Sequence, residues 1–297
     1  MPHGSETFGA RLAVTMQQRG NLCVGIDPHP ALLTAWGLTD DAAGCERFAV
    51  TVLEAVGETA CILKPQVALF ERHGSAGLAA LERLLAAAAD RGVMTIADAK
   101  RGDIGSTMAA YADAWLRDGS TLAADAVTLN PYLGFESLRP ALNLAAETGR
   151  GVFVLALTSN PEGAAIQHAE VRDRVGRHPA PGNTPDQSIG HAVARVIADA
   201  AAWENRSDVG LGSVGLVVGA TAGAAVRDLG LDLENLNGPI LAPGIGAQGA
   251  GRAELADTFG PASPLVLASA SRSILAAGPR QSDLRAAAEL ALAELGN

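Results

Sequence analysis

The stretch Ser75-Ala-Gly-Leu-Ala-Ala-Leu-Glu-Arg-Leu-Leu-Ala-Ala-Ala-Ala-Asp-Arg-Gly-Val-Met-Thr-Ile-Ala-Asp98-Ala-Lys100 decides how this chain folds. Leu78, Leu81, Leu85 and Ala88 recur at three- and four-residue spacing and line one face of a helix from Ser75 to Arg91. Ser75 is placed to cap its start, and Gly92 follows its end. Val93 to Ala97 then forms a short continuous apolar run that stops at a carboxylate. Runs of this kind suit parallel strands covered on both faces, whereas half-exposed strands alternate.

Similar runs recur along the chain, at Leu22 to Ile26, Ala60 to Leu63, Ala124 to Leu129, Val152 to Leu157, Val214 to Val218, Pro239 to Leu241 and Pro264 to Ala268. With Val93 to Ala97 they make eight, separated by helix-period segments. The last of these segments, from Ser282 through Leu295, reads as a closing helix. Eight strands alternating with helices predict a (β/α)₈ TIM barrel, with a doubly wound open sheet as the alternative. The 297 residues, 48% hydrophobic, suit a single barrel domain. Both architectures place ligands at the carboxyl ends of the strands. The connection from Ser159 to Ile189, with four prolines and three glycines, breaks the rhythm and predicts a lid or insertion at about 159–189.

Composition narrows the function. A net charge of -10 argues against a broad nucleic-acid surface, so any phosphate must be gripped locally. The cysteines Cys23, Cys45 and Cys61 lack metal-ligand spacing and read as buried reduced thiols, pointing to the cytoplasm. No run approaches the length of a membrane span, and the N-terminal segment lacks the pattern of an export signal.

Almost every predicted strand ends in, or runs into, a polar residue: Asp27, Lys64, Asp98, Asn130, Thr158 and Ser159, Thr221 and Arg272. For Asn130 and Thr221 a turn or capping role explains the residue equally well. Of the 22 basic residues only Lys64 and Lys100 are lysine. An ammonium can give up a proton where a guanidinium stays charged, so these two positions are candidates for proton transfer. Period-two geometry predicts Asp98 and Lys100 on one side of the third strand, with Asp103 just beyond, an acid-base-acid cluster. His29 reads as a solvated loop histidine.

The segment Asp98-Ala-Lys100-Arg-Gly-Asp103-Ile104-Gly-Ser-Thr107 resembles the D-x-K-x-x-D-I-G-x-T signature of orotidine 5'-phosphate decarboxylases. Leu22-Cys-Val-Gly-Ile-Asp27-Pro, Leu63-Lys64-Pro, Thr158-Ser159-Asn-Pro, Ala242-Pro243-Gly-Ile-Gly-Ala-Gln248-Gly and Ser271-Arg272-Ser resemble further family motifs, in the family's order. The resemblance implies a cofactor-free and metal-free enzyme that converts orotidine 5'-phosphate to UMP in de novo pyrimidine biosynthesis. Lys100 would protonate the carbon that loses CO₂, and Asp98 would face the departing group. Lys64 would hold Asp98 and the ribose. Asp27 would bind ribose hydroxyls, Ser159 the pyrimidine, and Gln248 and Arg272 the phosphate, with Pro243 and Ser271 beside it. Asp103, Ile104 and Thr107 would serve the neighbouring site of a homodimer.

Two features depart from the common family pattern. Ser271 stands where many members have glycine, and the connection after Ser159 is long. Three competing readings remain at this stage: a sibling sugar-phosphate keto-acid decarboxylase that uses a divalent metal, a Schiff-base aldolase using either lysine, and a silent nucleotide-binding barrel.

Overall fold

The computed structural model describes residues 6–171, 191–245 and 251–296. Eight parallel strands form its centre: β1 (Leu22–Ile26), β2 (Ile62–Pro65), β3 (Ile96–Arg101), β4 (Ala126–Leu129), β5 (Gly151–Leu157), β6 (Val214–Val218), β7 (Ile240–Pro243) and β8 (Val266–Ala270). Their order around the sheet is β2-β1-β8-β7-β6-β5-β4-β3. Parallel bridges Leu63 to Thr95 and Gln66 to Asp98 join β2 to β3, and the Leu63 amide donates to the Met94 carbonyl at 3.0 Å. The sheet therefore closes on itself as a (β/α)₈ barrel, and the open-sheet alternative is excluded.

The strands carry two kinds of side chain. Residues such as Val24, Leu63, Ala97, Val127, Val154, Leu216, Ala242 and Ala268 point outward and pack with the surrounding helices in one large apolar cluster. The alternate set, including Cys23, Ile62, Ile96, Ala126, Phe153, Val217, Leu241 and Leu267, forms a second cluster inside the barrel. Because side chains alternate every second residue, the next inward position on β2, β3 and β4 falls to Lys64, Asp98 and Thr128. The inner layer is thus apolar below and polar above, towards the carboxyl ends of the strands.

A helix within the first twenty residues closes the other end of the barrel. α1 (Phe8–Arg19) is capped by the Thr7 hydroxyl, which accepts from the Ala10 amide. Its Phe8 and Leu12 are fully buried in the inner cluster, with Phe8 edge-on to Phe153 at 6.0 Å. Glycine is required at position 151, since a Cβ there would lie 2.3 Å from the Phe8 ring. Arg11 ties the helix to Asp125 and to the Gly149 carbonyl.

The helices expected from the sequence are present as Gly74–Asp90 and Gln281–Glu294. Ser75 does not cap the first: the cap residue is His73, which makes no side-chain cap hydrogen bond, and Gly92 follows the helix with φ +64°. Of the long connection after β5, residues 159–171 are described. They form turns Pro161–Gly163 and Ala164–Gln167, then Glu170–Val171, which pairs antiparallel with His191–Ala192. The rest of the proposed lid, 172–189, lies outside the described residues. The three cysteines are buried and free, and burial pushes the Cys23 and Cys61 thiols up to about 12. No helix among the described residues is long and apolar enough to cross a membrane.

Candidate active site

At the carboxyl rim, β2, β3 and β4 bring one carboxylate under three donors. Lys64 Nζ donates to Asp98 Oδ2 at 2.8 Å, while Lys100 Nζ donates to Asp98 Oδ1 at 2.5 Å. The Thr128 hydroxyl, fully buried, donates to the same Oδ1 at 2.9 Å. Side-chain exposure is 8% for Lys64 and for Asp98 but 44% for Lys100, so the first two are fixed inside the barrel and the third faces its mouth.

These contacts set the charges. Burial alone would push the Asp98 carboxyl up, yet the Lys64 and Lys100 ammonium groups outweigh it and hold the group well below the usual carboxylate range. Burial would likewise lower Lys64, but the charges of Asp98 and Asp27 raise it above the ordinary lysine value. The centre is therefore one carboxylate between two ammonium groups.

The sequence led to a different grouping, acid-base-acid within a regular strand. Asp103 does not join the network: its carboxylate accepts from the Ile104 amide at 2.8 Å, at the start of the helix Gly105–Leu116. Ile104 and Thr107 are exposed beside it. Nor does Lys100 reach Asp98 through simple alternation. The β3–β4 register shifts between Ala97 and Arg101, and Lys100 sits at φ +48°, in the left-handed region. The distorted strand end, rather than the pleat, directs the lysine back onto Asp98.

The remaining predicted residues line the same rim. Asp27 follows β1, and its Oδ2 accepts from Ser271 Oγ at 2.5 Å across the β1–β8 seam. Its Oδ1 is buried without a partner. Arg272 is exposed and pairs with no carboxylate among the described residues. Ser159 is exposed at the end of β5, next to Gly219 at the end of β6. Pro243 ends β7, half-buried, while Gln248 lies outside the described residues. Asn130 forms a turn, its Oδ1 accepting from the Tyr132 amide, and His29 is an exposed loop residue.

Residues 20–178 match the orotidine 5'-phosphate decarboxylase / HUMPS family. The chain belongs to this family. An orotidine 5'-phosphate decarboxylase from Salinispora arenicola is 52% identical over 289 residues, covering 97% of each chain. One from Streptomyces coelicolor is 52% identical over 285 residues, covering 96% of this chain and 95% of the relative. A crystal structure of a Streptomyces avermitilis protein assigned to the same activity superposes with a TM-score of 0.89 at 50% identity, covering 100% of this chain and 97% of that one.

The matched segment holds β1 to β5 and therefore Asp27, Lys64, Asp98, Lys100 and Asp103. The family model covers orotidine 5'-phosphate decarboxylases together with HUMPS proteins, whereas the near-full-length relatives are orotidine 5'-phosphate decarboxylases. The sequence motifs assign no role to Thr128, which the structure places against Asp98 and Lys100. One signal marks it: it is the sole hydroxyl in the apolar run Ala124 to Leu129, two residues beyond the inward-facing Ala126.

Proposed function

We propose that this chain decarboxylates orotidine 5'-phosphate to UMP in pyrimidine biosynthesis, with Lys100 as the proton donor and without a cofactor. The observation that carries the reading is the Lys64–Asp98–Lys100 array, one fixed carboxylate and one mouth-facing ammonium at the barrel rim. Loss of CO₂ breaks the bond to C6 and leaves its electron pair in the plane of the ring, where the carbonyl groups cannot delocalise it. An ammonium already held in place stabilises that charge without reorganising, and Lys100 then delivers a proton to C6. Asp98, kept ionised, lies beside the departing carboxylate and holds Lys100 in position.

The rest of the rim fits the remainder of the nucleotide. The unpartnered Oδ1 of Asp27 is a buried acceptor suited to a ribose hydroxyl. Arg272, with no carboxylate to neutralise it among the described residues, suits the 5'-phosphate together with Gln248. Ser159 is assigned to the pyrimidine. Ser271, bound to Asp27 through its hydroxyl, acts on the ribose side, with its amide and Pro243 left near the phosphate. Asp103, Ile104 and Thr107, outside the local network, serve the site of a second copy in a homodimer. Buried reduced thiols suit a cytoplasmic enzyme.

The test is loss of orotidine 5'-phosphate absorbance catalysed by metal-depleted wild type and by Lys100→Ala. Wild type is expected to turn over with chelator present. Lys100→Ala is expected to lose at least about 10³-fold in kcat while still binding UMP, since it lacks both charge stabilisation and the proton donor. Substantial turnover by Lys100→Ala overturns the assignment.

A further inference from the structure

We infer that Thr128 is a positioning residue for the catalytic pair, setting the places of both Asp98 and Lys100 through a single hydroxyl. Its Oγ accepts from the Lys100 backbone amide at 2.9 Å and donates to Asp98 Oδ1 at 2.9 Å. The direction of these bonds is fixed by chemistry. An amide can only donate and an ionised carboxylate can only accept, so the single hydroxyl proton must go to Asp98.

This arrangement answers a local problem of the backbone. A regular parallel ladder would give the Lys100 amide a carbonyl on a neighbouring strand, but the β3–β4 register breaks between Ala97 and Arg101. Lys100 also adopts φ +48°, in the left-handed region that is unfavourable for a residue other than glycine. The Thr128 side chain supplies the missing acceptor and thereby holds the break in place. The break in turn lets the Lys100 side chain return to Asp98 Oδ1, two residues back along the same strand.

Position and burial support the assignment. Thr128 has no exposure to solvent, so its hydroxyl bonds are made in a low-dielectric interior where a lost partner is not replaced by water. It follows Ala126 on the inward face of β4, level with Lys64 and Asp98. Removing the hydroxyl leaves the Lys100 amide without an acceptor and takes one of three donors from Asp98. The barrel itself would persist, because valine fills nearly the same space.

The inference rests on Lys100 and Asp98 being the catalytic pair, so the test runs Thr128→Val and Thr128→Ser beside Lys100→Ala. Steady-state decarboxylation and UMP affinity are measured for each. Thr128→Val is expected to lose about 10- to 100-fold in kcat, as a displacement of order 1 Å costs in a preorganised site. Its KM and UMP affinity are expected to stay within about threefold of wild type, because the remote nucleotide contacts remain. Thr128→Ser, which keeps the hydroxyl, is expected to recover most of the rate. A Thr128→Val enzyme within twofold of wild-type kcat overturns the inference, as does a serine variant no better than valine. Loss expressed in KM alone would place Thr128 in nucleotide binding and also overturn it. If Lys100→Ala itself remains active, the underlying assignment of the pair has failed instead.

Discussion

At the scale of single residues, Asp98 is where burial and charge compete. Two ammonium groups and one hydroxyl keep it ionised in a place where an isolated carboxylate would take up a proton. A folded-state value below the unfolded one, about 3.9, makes this charge a source of stability with a defined pH window. The contribution is complete above the unfolded value and is lost as pH falls from there towards the depressed folded value. The melting temperature of Asp98→Asn is therefore expected to lie below that of wild type by a constant gap from pH 7 to 5. Below about pH 4 the gap should narrow, as the unfolded chain takes up a proton at Asp98 that the folded wild type still excludes. A gap that stays flat down to pH 3 would mean that Asp98 is not held ionised by its neighbours. Lys64 and Lys100 were legible in the sequence because lysine is so sparsely used, and Asp98 because it stands between apolar residues. Thr128 was harder to see, since threonine is ordinary in a strand and only its inward register distinguishes it.

Elements show a second pattern, in which hydropathy locates strands but misplaces their ends. The expected Val93 to Ala97 is observed as Ile96–Arg101, and Ala60 to Leu63 as Ile62–Pro65. Charged residues read as loop, yet these strands continue through them because the upper layer of the barrel interior is polar, with Lys64, Asp98 and Thr128 on its inward positions. The expected Pro264 to Ala268 is observed at β8 as Val266–Ala270, since Pro264 belongs to the preceding turn Gly260–Leu265. The closing role of α1 is not legible in the sequence because its buried face is narrow, with Phe8 and Leu12 as its large anchors. Those anchors sit at the end of the barrel opposite the chemistry, so stability and catalysis should separate there. Phe8→Ala is expected to cost about 3–5 kcal/mol in urea unfolding, with kcat within about twofold of wild type at 25 °C. A large fall in kcat without loss of stability would show that the lower apolar layer is coupled to the rim.

For the whole molecule, the question is whether one chain holds a complete site. The Lys64–Asp98–Lys100 array is assembled within the chain, whereas Asp103 of the same signature stands apart from it. Ile104, Tyr132 and Leu133 are all exposed large hydrophobic residues, and they follow β3 and β4 on the rim where Asp103 lies. An apolar surface beside the Asp103 carboxylate fits a second copy of the chain that covers the former and receives the latter. In a symmetric dimer of this kind each site would draw Asp98 and Lys100 from one protomer and Asp103 from its partner. Lys100→Ala and Asp103→Ala homodimers would then each be deficient at both sites. Mixed in equal amounts and allowed to exchange subunits, they form heterodimers in which one site carries both defects and the other carries neither. Random exchange makes half of all dimers mixed, so recovery to roughly a quarter of wild-type activity is expected. The measurement is decarboxylation before and after reversible dissociation of the mixture, with each variant treated alone as the control. Activity that never rises above the sum of the two controls would mean that Asp103 serves its own chain, and the signature would then belong to one site.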